Sequence, residues 1–319
     1  MDSLKLNARA ARLADVMVAD ADLLGVRPIR LPNGARLIDC GIEAPGGLEA
    51  GRLLAEICMG GAGHVSFVPV SIEDLGLPGV LVRTDHPALA CLAAQYAGWA
   101  IKPEGFFAMG SGPLRAIARV ETPLFDTLGY SEAADGPGVL VLETRTLPDA
   151  RVADWIATRS GVAPERLTLL CAPTATPAAG VQIVARVVET ALHKLHELGF
   201  DVKSVRTASG TAPLPPVAKS DTRAIGRTND CVLYGGRVEL TVDADDAALE
   251  TLVPQVPSSA SRDYGTPFYE LFKRYEWDFY KVDPHLFSPA QIAVTSLRSG
   301  RTFEAGEPNA LVLRQSLFG

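Results

Sequence analysis

Residues 181–198 hold the densest set of reactive side chains in the 319-residue sequence. At about 100° per residue, Val184, Val187, Val188, Ala191, Leu195 and Leu198 share one apolar helix face. Arg186, Glu189, His193 and His196 share the opposite one. A carboxylate one turn from a guanidinium is oriented and kept charged, which suits a general base that takes a proton from water. The same spacing also suits an ordinary solvated ion pair, worth only about 0.3–0.5 kcal/mol. His193 and His196 stand at i,i+3 without a third histidine or a nearby carboxylate, so no metal site is expected.

Two glycine turns, Gly60-Gly61-Ala62-Gly63 and Gly110-Ser111-Gly112-Pro113, suit either structural turns or backbone cradles for an anion. Neither completes a dinucleotide fingerprint: Ser66 stands where the third glycine belongs, and a helix rather than a strand precedes Gly60. Asp85, about twenty residues further on, only mimics the ribose-binding acid. Gly110-Ser111-Gly112 is not the GxSxG elbow of a serine nucleophile. Arg227-Thr228-Asn229-Asp230 and Ser261-Arg262-Asp263-Tyr264-Gly265 read as loops that orient a polar ligand, or equally as buried networks joining loops.

These residues need a scaffold, and the sequence offers an alternating one. Helices are expected at 7–24, 48–59, 86–99, 152–159, 181–198 and 267–275. Strands are expected at 36–40, 64–70, 80–83, 106–109, 116–120, 139–143, 167–171, 202–206 and 238–242, with a β-rich stretch over 290–313. The alternation indicates an α/β class. An internal echo runs through it: strand, Ala-Pro, Ala-Gly, helix, glycine, strand occurs over 40–68 and again over 171–205. It suggests two related lobes, although two ordinary βαβ units would give the same pattern. Glycine and proline around 129–138 suggest a division into an N-terminal lobe, 1–130, and a C-terminal lobe, 131–319, which need not be continuous in sequence.

With 47% hydrophobic residues and a net charge of −7, the composition excludes wholesale disorder and argues against binding nucleic acid. No apolar stretch has the length of a signal peptide core or a membrane span, so a cytoplasmic protein without a membrane partner is expected. The five cysteines, Cys40, Cys58, Cys91, Cys171 and Cys231, are widely spaced and form no CxxC, which points to buried free thiols.

The sequence resembles methenyltetrahydromethanopterin cyclohydrolase over nearly its full length. The resemblance rests on Gly61-Ala62-Gly63-His64-Val65, Arg83-Thr84-Asp85-His86-Pro87-Ala88, Ala97-Gly98-Trp99 and Phe107-Ala108-Met109-Gly110-Ser111-Gly112-Pro113. Ala185-Arg186-Val187-Val188-Glu189-Thr190, Gly226-Arg227-Thr228-Asn229-Asp230 and Ser261-Arg262-Asp263-Tyr264-Gly265 carry it further. It implies two mixed α/β lobes with a ligand cleft between them, a homotrimer, and metal-free, reversible hydrolysis of a methenyl bridge on a reduced pterin in one-carbon metabolism. The carrier tetrahydromethanopterin is then substrate, and no cofactor is implied. The family's catalytic Arg-x-x-Glu falls on Arg186 and Glu189. Asp85, Gln95, Ser111, Gly112, Asn229 and Asp230 become the candidates for holding the pterin and its tail. Tyr96 departs from the pattern, since archaeal members have lysine there, and this suits a dephosphorylated carrier.

A cationic methenyl carbon is already electrophilic. The site needs an aligned water and a base, the role expected of Glu189, with Arg186 orienting it. Two other classes compete: a nicotinamide-dependent oxidoreductase, which the broken glycine fingerprint disfavours, and a non-catalytic pterin-binding protein, which needs Arg186–Glu189 to be a plain surface pair.

Overall fold

A computed structural model describes residues 4–278 and 281–319. The chain begins with α1 (Leu6–Ala19), α2 (Ala21–Leu24), β1 (Arg27–Arg30), β2 (Arg36–Asp39) and α3 (Leu48–Cys58). Strands β3 (His64–Ile72) and β4 (Leu75–Thr84) follow, then a π-helix over Ala88–Gln95. Next come β5 (Trp99–Ile101), β6 (Ala108–Ser111), α4 (Leu114–Ala118), α5 (Thr122–Leu128), β7 (Gly138–Glu143), α6 (Ala150–Ser160), β8 (Leu167–Ala172) and α7 (Pro177–Val184). The remainder is α8 (Val187–Glu197), β9 (Val205–Pro213), α9 (Asp221–Gly235), β10 (Arg237–Val242), α10 (Asp246–Leu252), α11 (Phe268–Arg274), β11 (Gln291–Ser296), β12 (Thr302–Gly306) and α12 (Ala310–Phe318).

These elements form two units. Unit 1 holds the residues up to His64 together with Leu89–Gln182, and unit 2 holds Val65–Ala88 with Ile183–Gly319. The division is discontinuous, with changes near His64, Ala88 and Gln182. Sheet pairing is the physical reason: β7 and β8, beyond residue 130, belong to the same sheet as β2.

Unit 1 is built on a six-stranded sheet in the order β1-β2-β8-β7-β6-β5. Its centre, β2-β8-β7, is parallel, and the flanking pairs are antiparallel. Leu37, Leu140, Leu142, Leu167 and Leu169 pack one face against Val152, Ala153 and Ile156 of α6. Strand β7 also contacts α1 and α3. Buried on both sides, β7 and β8 are near-continuous apolar runs without alternation, as parallel strands require, whereas β2 places Leu37 and Ile38 between Arg36 and Asp39. Unit 2 has the order β12-β11-β10-β9-β4-β3. Only β10–β11 is parallel among its registered pairs. Helices α8 and α9 pack on β9, with Val187 and Val188 against Gly210.

The two echoed segments start alike. Strands β2 and β8 lie side by side, and Cys40 N donates to Cys171 O at 2.8 Å. Their helices α3 and α7 approach so closely that a Cβ on Gly51 would stand 2.6 Å from Ala178 O. Both segments continue into strands of unit 2, β3 and β9.

Several elements differ from the sequence expectation. The helix expected over 181–198 is two helices, interrupted at Ala185 and Arg186, where Arg186 N bonds back to Ile183 O over a tighter turn. Residues 116–120 lie at and beyond the end of helix α4 instead of forming a strand, and the β-rich end closes on helix α12. The helix expected over 86–99 ends at Gln95, and Trp99 opens β5. Arg227-Thr228-Asn229-Asp230 is not a loop but part of α9, a 15-residue helix capped by the Ser220 hydroxyl. Its polar composition hides the helical period.

Candidate active site

In unit 2, Arg186 caps α8 and Glu189 stands in its first turn. A helix start favours negative charge, and the arginine adds to that preference. Nη1 of Arg186 lies 3.8 Å from Oε2 of Glu189, and the two side chains are only 13% and 7% exposed. The pair is therefore buried and not a solvated surface pair. Burying charge is costly unless it is paired, which makes the pair a candidate functional site. Five residues on, Lys194 is also buried, and its Nζ donates to His285 O at 2.8 Å. Burial pulls this ammonium down to about 8 against the opposing charge of Asp283.

The remaining unit 2 candidates are spread out. Asp85 is exposed just past the end of β4, in a depression of about 490 Å³ that Arg83, Ser209, Glu239 and Glu304 also line. Asn229 is half-buried and donates from Nδ2 to Ile225 O one turn back, at 2.8 Å. Asp230, adjacent in sequence, points inward, where it is completely buried. Its two oxygens accept Phe268 N at 2.9 and 3.1 Å, which caps α11. Burial pushes its carboxyl up to about 7, although Ser316 and the Phe268 N–H pull the other way. Asp230 thus joins α9 to α11 inside unit 2. The Ser261–Gly265 stretch is likewise an internal network: Asp283 accepts from Ser261 Oγ at 2.7 Å and Arg262 N at 3.2 Å, and Asp263 accepts from Asp283 N at 2.9 Å.

Unit 1 brings its three candidates together. Ser111 Oγ stands 3.1 Å from Cys58 Sγ at the end of α3, and that thiol also meets Gln182 Nε2 at 3.4 Å and Gln95 O at 3.9 Å. Gly112 N donates to Ala94 O at 2.8 Å, tying the glycine turn to the π-helix. Arg115, fully buried, donates to Leu92 O and Ala94 O at 3.1 and 3.3 Å and pairs with Glu121 at 2.7 Å. The rings of Tyr96 and Phe125 cover its guanidinium at 5.1 and 5.6 Å. A π-helix widens the backbone spiral and is often found at functional positions.

The glycine turns spend their donors on structure. Gly60 and Gly61, both at positive φ, donate to Ile57 O and Glu56 O and close α3 with a Schellman motif. That turn leads from a helix into a strand, the reverse of a dinucleotide fingerprint. All five cysteines are buried. Among the described residues, no group of three or more His, Cys, Asp or Glu side chains could hold a metal ion. No helix among them is long and apolar enough to cross a membrane.

Sequence reasoning missed Cys58, Gln182 and Glu143. Glu143 is the last residue of β7 and accepts the Thr174 hydroxyl on Oε1. A charge closing an apolar run, as in Val139-Leu140-Val141-Leu142-Glu143, was the available signal.

A two-sheet α/β protein with a buried Arg-x-x-Glu at a helix start has a clear place among known families. The family described as Cyclohydrolase (MCH) matches residues 5–317. The chain is 48% identical over 316 residues to methenyltetrahydromethanopterin cyclohydrolase of Xanthobacter autotrophicus, covering 99% of this chain and 93% of that relative. Proteins of the same name from Methanocaldococcus jannaschii and Methanospirillum hungatei are 42% and 41% identical, each with 98% of both chains covered. The chain belongs to this cyclohydrolase family.

Proposed function

We propose that this protein hydrolyses the cationic methenyl bridge of 5,10-methenyltetrahydromethanopterin, or its dephosphorylated form, to the 5-formyl compound. The observation that carries the reading is the buried Arg186–Glu189 pair at the start of α8. Glu189 accepts a proton from the water that attacks the methenyl carbon, while Arg186 orients the carboxylate. Collapse of the tetrahedral adduct leaves formyl on nitrogen-5. Glu189 returns that proton to the departing nitrogen, and the adduct's hydroxyl proton passes to solvent as the carbonyl forms, which is the one proton that hydrolysis of a cation to a neutral formamide must release. The substrate carbon is already electrophilic, so the reaction needs neither Lewis acid nor cofactor. A carboxylate at the site also attracts the cationic substrate.

The dephosphorylated carrier is favoured by Tyr96, whose ring covers the Arg115 guanidinium. A lysine there would place a second cation beside it, whereas tyrosine offers no charge for a phosphate. Asp85, Gln95, Ser111, Gly112 and Asn229 remain the proposed pterin and tail contacts. A homotrimer in the cytoplasm completes the proposal.

The test is the ultraviolet decay of methenyl-tetrahydromethanopterin. Wild-type protein accelerates it, and prior treatment with a chelator leaves the rate unchanged. Glu189→Gln lowers kcat by about 10²–10⁴-fold with an unchanged circular dichroism spectrum. Near-wild-type turnover in that variant removes the base assignment.

A further inference from the structure

In open α/β sheets, ligands gather beyond the carboxyl ends of the parallel strands. In unit 1 those ends are Asp39 of β2, Ala172 of β8 and Glu143 of β7. Asp39 is fully committed to structure, because it accepts the backbone N–H groups of Gly41, Ile42, Glu43 and Ala44. Glu143 is half-buried, and the Thr174 hydroxyl orients its Oε1. The register Met109↔Glu143 and Ser111↔Val141 puts Met109, Ser111, Val141 and Glu143 on one face of the sheet. Glu143 therefore shares a face with Ser111, the hydroxyl that meets Cys58.

Two residues before Met109 stands Phe107. It is 64% exposed, which is unusual for a phenylalanine, yet its backbone is fixed: Thr144 Oγ1 donates to Phe107 O at 3.2 Å. Phe107 directly precedes β6 and stands two residues before Met109, which is on the Glu143 face. An exposed ring on an anchored backbone thus borders the strand-end face that carries a carboxylate held by a neighbouring hydroxyl.

We propose that Glu143 and Phe107 form a subsite for a planar heteroaromatic ring with adjacent amino and ring N–H donors, the 2-aminopyrimidin-4-one edge of a pterin. Two parallel N–H donors match the two oxygens of a carboxylate as a guanidinium does. The phenylalanine face covers the ring, and Thr174 acts as the positioning residue. This assignment rests on the pterin reading above.

The experiment has two parts. In turnover assays Glu143→Gln and Phe107→Ala raise KM by about tenfold or more, with kcat within about threefold, because Arg186 and Glu189 are intact. In competition assays the probes are 6-methylpterin and its 2-desamino analogue, 6-methylpteridin-4-one. Wild-type protein prefers 6-methylpterin by about tenfold or more. Glu143→Gln binds the two alike, and Phe107→Ala weakens both. Retained preference in Glu143→Gln, or a collapse of kcat at unchanged KM, overturns the subsite. A wild-type protein inactive on the methenyl substrate that still discriminates between the probes overturns the hydrolase reading and leaves the subsite standing.

Discussion

Two stretches of the chain begin in the same way and end differently. The first runs β2, loop, α3; the second runs β8, loop, α7, with α8 beyond the break. Both carry a buried glutamate with an arginine on the preceding turn. In the first, Glu56 meets Arg52 Nη1 at 3.2 Å and His64 Nδ1 at 2.8 Å. In the second, Arg186 Nη1 stands 3.8 Å from Glu189 Oε2. The first helix is uninterrupted and sealed by a Schellman turn, whereas the second restarts at Arg186. A carboxylate clamped by close cationic partners is a fixture. One beside a helix start is oriented by the neighbouring arginine and by the helix dipole. On the proposed reading, one architectural unit serves as scaffold in one place and as chemistry in another.

The contrast can be broken directly. Glu189→Gln should cost about 10²–10⁴-fold in kcat, whereas Glu56→Gln should keep kcat within about threefold and lower only the melting temperature. Equal losses of turnover in the two variants would erase the distinction. The loops after β2 and β8 come next. Burial alone would raise the Asp39 carboxyl, but bonds from Gly41, Ile42, Ala44 and Glu43 outweigh it and hold it below the usual range. Asp39→Asn should therefore cost about 2–4 kcal/mol in urea unfolding at neutral pH. Stability from a depressed carboxyl is present above its unfolded value, near pH 4, and is lost as pH falls through the folded one. The gap between wild type and Asp39→Asn should accordingly narrow below about pH 4. The smallest effect falls where α3 and α7 touch. Gly51→Ala places a methyl against Ala178 O and should cost about 1–3 kcal/mol of thermal stability, with kcat retained.

How much of this was visible beforehand follows from what is local. Strands β7 and β8 could be read directly, because a parallel strand buried on both faces reads as a short, nearly continuous apolar run. Arg186 and Glu189 were legible too, since i,i+3 spacing is a property of one segment. The break between α7 and α8 was not, because the apolar period of Val181, Val184, Val187 and Val188 runs straight through it. Helix α9 was hidden by its polar residues, of which Thr228 and Asp230 turn out to be buried. The face that Glu143 shares with Met109 and Ser111 was out of reach for a different reason. That face arises from the pairing of β6 with β7, and register between distant strands is set by the whole sheet and not by either segment.

The discontinuous units also set an order of birth. Unit 1 is chemically complete once residue 182 has left the ribosome, whereas β3 and β4, made earlier, belong to a sheet whose remaining strands are still untranslated. The partner of β4 is β9. At about 5–20 residues per second, the nascent β3–β4 pair waits roughly ten seconds with an open edge, the kind of edge that invites pairing with other chains. In the cell, the vulnerable interval of this protein lies in synthesis, and it closes only when Val205–Pro213 arrives.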